Sequence, residues 1–148
     1  MTKEKKTTVP EKATTNLFHK YETNKDAEIE GIWIEDFEPG VDFKIARFNV
    51  ERTEKYMDEL RRPYKKLLKA GGRIPADKAD DMLIDTMSKY ALVDWRGVVD
   101  PDGKPMPYTP ENAYTLLKML PEIREKVLKL SLDSDTYNKK ALEDARKN

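Results

Sequence analysis

The stretch DWRGVVDPDGKPMPYTPENA, residues 94–113, is the most distinctive part of this sequence. Two aspartates precede a glycine at its centre, and large apolar residues lie on both sides of them. These residues are compatible with a metal or phosphate site, and equally with a plain connection between two packed elements. The function that the chain supports depends on whether this stretch is a binding site or a connection.

Composition limits the size and surface of the protein. A chain of 148 residues forms one compact domain, or one domain with tails. Only 38% of the residues are apolar and 38% are charged, which favours helices with broad solvated faces over a large buried sheet. The 28 basic residues balance 28 acidic ones, so no global field attracts nucleic acid or an anionic membrane.

The expected location is a reducing cytoplasm. There is no cysteine, which excludes disulfides and thiolate metal sites. No run of about 18 apolar residues occurs, and the N-terminus lacks the apolar core of a secretion signal. We therefore expect a protein that neither spans a membrane nor is secreted.

The N-terminal part of the sequence predicts a tail followed by a β-hairpin. Residues 1–15 have almost nothing apolar to bury, so we expect a disordered, dispensable tail and a single domain over residues 16–148. Apolar residues then alternate, with Ile32 and Ile34 on one face and Trp33 on the other. The Pro-Gly pair in FEPGVD indicates a turn, so two strands are predicted at 31–37 and 41–48.

The remaining sequence predicts amphipathic helices. The first begins with Asn49 as its N-cap, kinks near Arg62 because of Pro63, and ends at Gly71 and Gly72. Its acidic first half and basic second half complement the helix dipole. A second helix starts at Pro75 and ends near Val93 or Trp95, before the loop that residues 94–113 are expected to form. Further helices are predicted from Thr109, from Pro121, and after Asp133 or Ser134.

The predicted fold class is therefore mainly α (α+β), a small N-terminal β-hairpin followed by four to five short amphipathic helices.

The central turn lacks the pattern of a metal or phosphate site. An EF-hand loop needs acids at its first, third and fifth positions, a glycine at the sixth and a glutamate at the twelfth. With Gly103 sixth, the first and twelfth positions fall on Val98 and Thr109. The glycines match neither a P-loop nor a dinucleotide fingerprint. We interpret DPDG as a turn in which Pro101 presets the backbone, Asp102 tolerates unusual dihedrals and Gly103 supplies a positive φ. No metal and no cofactor is expected.

Catalytic and nucleic-acid signals are weak. The single histidine, His19, lies beside the predicted tail, so no Ser-His-Asp arrangement is evident and no enzymatic activity is expected. RRPYKKLLK, residues 61–69, places five basic residues around Tyr64. Helix-dipole complementation explains these charges without a ligand. A small nucleic-acid-binding regulatory protein that uses this segment remains an alternative hypothesis.

Large apolar residues cluster around the turn. Trp95, Val98, Val99, Met106 and Tyr108 flank it and precede a leucine-rich helix. Aromatic residues this close together anchor either a core or a protein interface. A small, highly charged domain has little interior, so short amphipathic helices and a hairpin can leave an apolar groove.

Several segments resemble, in order, the tail assembly chaperones of long-tailed (siphovirus-type) bacteriophages or prophages. They are YETNKDAEIEGIWIEDFEPGVDFKIARF, RRPYKK, LVDWRGVVDPDGKPMPYTPENAYTLLKMLPEI and ARKN, which together extend over about residues 21–148. The most specific part is the pattern W-x-G-V-x-D-x-D-G-x-P-x-P-[YF]-[TS]-x-E-N at residues 95–112. The hairpin departs from the resemblance, because EDFEPGVD carries more acid and a Pro-Gly pair.

The resemblance implies a non-enzymatic assembly factor made in the bacterial host cytoplasm and absent from the mature virion. Such proteins hold the hydrophobic, helical tape-measure protein soluble until tail tube subunits polymerise around it. The resemblance also implies contact with the tail tube protein through a longer form made by ribosomal frameshifting, and is compatible with a homo-oligomer. The predicted partner-binding residues are our own inference from the apolar pattern: Trp95, Val98, Tyr108, Leu117 and Leu120.

Overall fold

A three-stranded antiparallel sheet, with its buried face packed against helices, organises the fold. The computed structural model describes residues 13–147. Most of the predicted disordered tail, residues 1–12, lies outside the described residues, as does the last residue of the chain.

The described chain is mostly helical, which confirms the predicted fold class. The strands are β1, Ile32–Glu38; β2, Val41–Ile45; and β3, Leu92–Arg96. The helices are α1, Leu17–Lys20; α2, Lys25–Glu30; α3, Glu51–Arg61; α4, Lys65–Lys69; α5, Ala76–Tyr90; α6, Pro110–Met119; α7, Pro121–Leu132; and α8, Lys139–Lys147. Short 3-10 helices occupy Arg62–Tyr64 and Ser134–Tyr137.

The predicted hairpin is confirmed, with a shorter second strand than expected. β1 and β2 pair antiparallel, with Ile32 opposite Ile45. β2 ends at Ile45 and does not continue to residue 48, because the next three amides donate to other parts of the chain. Their acceptors are Ala91 O at 2.8 Å, Glu28 O at 2.8 Å and Ser131 O at 2.9 Å. The segment after β2 thus joins α2, α5 and α7 rather than extending the sheet.

The third strand was not predicted from the sequence. Helix α5 was expected to continue to Val93 or Trp95, and the following residues to form a loop. Instead α5 ends at Tyr90, and β3 pairs antiparallel with β2, placing Trp95 opposite Phe43. A short apolar run cannot be assigned to helix or strand by periodicity alone. The open edge of β2 is the tertiary partner that selects the strand.

In helices α3 and α4 the predicted N-cap is wrong, whereas the predicted break and the predicted glycine stop are confirmed. Asn49 is not the N-cap of α3, which is Val50 without a side-chain hydrogen bond; the Asn49 Oδ1 atom instead accepts from Arg47 Nε at 3.0 Å. The break at Pro63 is confirmed, because Arg62–Tyr64 is a 3-10 turn between two α-helices. The glycine stop is also confirmed: Gly71 has φ 85°, and α4 ends just before it.

The core lies between the buried face of the sheet and α5, α6 and α7. Its central side chains come from every one of these elements: Phe43, Ile45, Ile84, Met87, Leu92, Trp95, Ala113, Leu117 and Val127. The C-terminal part is attached through Tyr137, whose hydroxyl donates to Ile45 O at 3.0 Å. Burial raises the pKa of Tyr137 well above its ordinary value, so this hydroxyl stays a donor at all physiological pH values.

Two glycines with the same backbone angle provide a matched test of the contact between the hairpin and β3. Gly97 and Gly103 both have φ 82°. A Cβ at Gly97 would lie 2.0 Å from Gly40 O, whereas one at Gly103 would meet nothing within 4 Å. We expect Gly103→Ala to lower the free energy of unfolding by about 1–2 kcal/mol through backbone strain alone. Gly97→Ala should lower it by a further ~1–3 kcal/mol, because the hairpin turn must move. Equal losses in urea unfolding would contradict this contact.

Candidate partner-binding groove

The DPDG segment folds as a tight turn organised by the carboxylate of Asp100. Asp100 Oδ1 accepts hydrogen bonds from the amides of Asp102 and Lys104, each at 2.9 Å. The backbone closes the turn between Asp100 N and Lys104 O at 2.7 Å, and Met106 N donates to Val98 O at 2.9 Å. The positive φ predicted for Gly103 is confirmed at 82°. The carboxylate that satisfies the turn is that of Asp100, because its oxygen points at two backbone donors.

Trp95 attaches this turn to the core. Its side chain is 6% exposed, and its indole Nε1 donates to Met106 O at 2.8 Å. On one side its ring lies 6.3 Å from that of Phe43, and on the other it meets Tyr108 edge-on at 5.2 Å. The indole therefore connects β3, the far side of the turn and the segment that leads into α6.

Tyr108 fixes the start of α6. Its hydroxyl donates to Leu92 O at 2.6 Å, with Ser88 O at 3.1 Å. Burial, with smaller contributions from Asp94 and Glu111, raises the pKa of Tyr108 to about 12, so the hydroxyl remains protonated. The predicted start of this helix is confirmed, because Thr109 is its N-cap and accepts from the amide of Asn112 at 2.9 Å.

An apolar groove lies between the turn and the outer side of α6. Its volume is about 240 Å³. Three of its apolar side chains are strongly exposed: Val99 at 56%, Met119 at 66% and Leu120 at 44%. We call it the turn–α6 groove; its apolar lining consists of Val99, Pro101, Met106, Leu116, Met119 and Leu120.

Of the five predicted partner-binding residues, only Leu120 lines this groove. Trp95, Val98 and Leu117 are buried in the core, at 6%, 9% and 0% exposure, so the expectation that Leu117 is an exposed contact is wrong. Tyr108 is half-buried and occupied by its hydrogen bond to the backbone. None of these four residues lines the groove, but Trp95, Val98 and Tyr108 line a neighbouring pocket of about 300 Å³. That pocket shares Val99 and Met106 with the groove.

Most of the exposed lining of the groove was not predicted from the sequence. The leucines of α6 were expected to form one apolar stripe, whereas the helix carries two. Ala113 and Leu117 are fully buried, while Leu116, Met119 and Leu120, spaced by three and four residues, face the groove. Met119 was the available signal, because its position extends the apolar arc of α6 beyond the width that one core contact requires.

Among residues 13–147, no three His, Asp or Glu side chains are grouped so as to hold a metal ion. In the same part of the chain, no helix is long and apolar enough to cross a membrane.

The residues that build the groove lie within a family match. The model of the YdaY prophage protein family matches residues 48–148, which include the turn, α6 and the helices that pack against it. The chain therefore belongs to the YdaY prophage protein family. Prophage origin agrees with the phage or prophage origin that the sequence resemblance implies. The match begins after the β1–β2 hairpin.

One relative is Protein YdaY of Escherichia coli (strain K12). It is 40% identical over 55 residues, which are 35% of this chain and 46% of that protein. The match thus spans less than half of the relative's length. No solved structure matches the chain.

The role of Trp95 can be tested with a matched substitution on the same sheet. We expect Trp95→Ala to lower the free energy of unfolding by about 3–5 kcal/mol, because a buried aromatic side chain and its hydrogen bond are lost. Trp33→Ala makes the same change on the opposite face, where the ring is half-buried beneath Arg96 at 3.8 Å. That loss should be clearly smaller in urea unfolding. Similar losses for both variants would show that Trp95 does not connect the core to the turn.

The turn can be tested with its two aspartates. Asp100→Ala should lower the free energy of unfolding by about 1–3 kcal/mol, because two backbone amides lose their acceptor. Asp102→Asn should change it by less than about 0.5 kcal/mol, since Asp102 is exposed. Thermal unfolding with and without calcium is the measurement. A calcium-dependent increase in Tm that Asp102→Asn abolishes would contradict the structural interpretation of the turn.

Proposed function

We propose that this prophage protein is a non-enzymatic tail assembly chaperone whose turn–α6 groove holds apolar helical segments of the phage tape-measure protein. The observation that carries the proposal is the exposure of Val99, Met119 and Leu120 along one groove. In a chain with 38% charged residues, a grouped set of exposed apolar side chains is typical of an interaction site.

The shape of the groove favours a helical partner. One wall is the side of α6, and the other is the rigid turn held by Asp100 and Trp95. An amphipathic helix presents apolar residues at three- and four-residue spacing, and such a stripe can pack against an apolar groove. A tape-measure protein, being long, helical and hydrophobic, exposes such stripes before the tail tube forms around it. Covering them keeps it soluble.

Membership in a prophage protein family supports a role in phage biology, and the resemblance of residues 95–112 to tail assembly chaperones supports the specific role. In this proposal the protein acts in the bacterial host cytoplasm and is absent from the mature virion. A longer, frameshifted form would recruit the tail tube protein, and association of several copies would present several grooves to one tape-measure chain.

The test is co-expression with the cognate tape-measure protein. The wild-type chain should keep that protein in the soluble fraction and be captured with it in a pull-down. The double variant Met119→Gln, Leu120→Gln should lose most of this capture, because it makes the groove polar without touching the buried core. Binding that is mainly apolar should persist at high salt.

Leu132→Gln is the matched control, because Leu132 is also 44% exposed and lies at the end of α7, outside the groove. It should leave capture unchanged. Circular dichroism and Tm confirm that all variants remain folded. The proposal is rejected if the wild-type chain captures no tape-measure protein at low or high salt, or if the groove and control variants lose capture equally.

A further inference from the structure

Charge is distributed unevenly along the chain, most clearly between residues 61 and 73. We call this segment the basic arm. It contains six cations and no acidic residue, in a chain whose formal net charge is zero. The cations are Arg61, Arg62, Lys65, Lys66, Lys69 and Arg73. The arm comprises the last residue of α3, the 3-10 turn, α4 and the glycine stop.

Most cations of the basic arm are exposed, and two acidic residues of α3, Asp58 and Glu59, line the cleft beside four of them. Arg61 pairs with Asp58 at 2.9 Å. The other five make no salt bridge with any residue between 13 and 147. Helix α4 buries none of its residues. Five cations brought together in this way repel one another, so the arrangement favours an anionic partner.

Helix-dipole complementation, which the sequence suggested as the reason for these charges, accounts for Arg61 and only weakly for Lys66 and Lys69. Because the helix breaks at Arg62–Tyr64, α3 ends at Arg61. Lys65 then begins α4, where a cation is disfavoured, while Lys66 and Lys69 lie in its last turn. A helix of only five residues has a weak dipole, so this complementation is small. The charges of the arm therefore require another explanation.

The two leucines of the arm are partly covered by their surroundings. Leu67 lies over Gly72, where an added Cβ would meet Leu67 Cδ1 at 2.4 Å. Leu68 lines the cleft between α3 and α4. Both leucines nevertheless remain exposed, at 42% and 41%. The outer surface of the arm therefore carries its six cations together with two leucines, and this excess of charge over apolar area suits a polyanion better than a membrane that must accept inserted apolar side chains.

We infer that the basic arm binds the phosphate backbone of double-stranded DNA without reading its sequence. Duplex DNA carries one charge per ~1.7 Å of axis, so a short segment with five cations that make no salt bridge to residues 13–147 can contact several phosphates. Its one aromatic residue, Tyr64, is half-buried, so the arm lacks the open stacking platform that single strands require. Helix α4 is too short to present several side chains to the base edges of a major groove.

The test is fluorescence anisotropy with a labelled 20-base-pair duplex of arbitrary sequence, titrated between about 50 and 200 mM salt. Affinity should fall with salt with a log–log slope approaching about −4.5, because each neutralised phosphate contributes about −0.9. Duplexes of different sequence should bind equally. The variant Lys65→Gln, Lys66→Gln, Lys69→Gln should flatten the slope by up to about 2.7 and weaken binding at low salt at least tenfold.

The matched control is Lys140→Gln, Arg146→Gln, Lys147→Gln on α8, which removes the same number of charges from exposed positions. It should leave the slope unchanged. Equal losses in the two triple variants would overturn the inference, since only net charge would then matter. Absence of duplex binding at 50 mM salt, or binding to phosphatidylserine vesicles or to single strands in preference to the duplex, would also overturn it.

This inference is independent of the tape-measure proposal. The groove variant Met119→Gln, Leu120→Gln should bind the duplex as the wild-type chain does, because it leaves the arm intact. The arm variant should still capture the tape-measure protein. The two sets of measurements therefore fail or succeed separately.

Discussion

The indole of Trp95 is the contact on which the candidate site depends. One side chain is buried against Phe43 of β2, meets Tyr108 edge-on, and donates to the backbone of Met106 beyond the turn. A turn on the surface of a small protein would otherwise be mobile, because few apolar contacts hold it. By bonding across eleven residues, Trp95 makes the turn a rigid wall. The groove exists because that wall stands at a fixed distance from α6.

The two apolar stripes of α6 explain how one short helix serves both core and surface. Ala113 and Leu117 attach it to the sheet, and Tyr108 fixes its beginning through Leu92 O. The core contact uses only part of the helix circumference, so no element within residues 13–147 covers Met119 and Leu120 fully. Such side chains are an aggregation risk unless a partner covers them. The stability of the helix is thus supplied by residues other than those available for binding, which allows the groove to be altered without unfolding the protein.

The sequence predicts the local features well and the long-range ones poorly. Pro63, Gly71, Gly103 and Thr109 each act through their own backbone or side chain, and each was predicted correctly. Strand β3 was missed because its hydrogen-bonding partner, β2, lies about fifty residues earlier in the chain. Leu117 was assigned to the surface for a related reason: spacing shows that a helix has an apolar face, but only the packed structure shows how much of that face the core covers.

The break at Pro63 determines where the cations of the basic arm lie. In an uninterrupted helix, the cations after Arg61 would follow the acids of α3 along one axis and complement its dipole. The 3-10 turn places them on and around α4, where, unlike Arg61, they lie outside any salt bridge to the described residues. The apolar groove on α6 and the basic arm on α4 would bind their partners through different interactions. Affinity at the groove should depend little on salt, whereas affinity at the arm should fall strongly as salt rises. A chain with zero formal net charge can therefore present a strongly basic surface, because segregation of charge along the fold, and not its total, determines what a local site attracts.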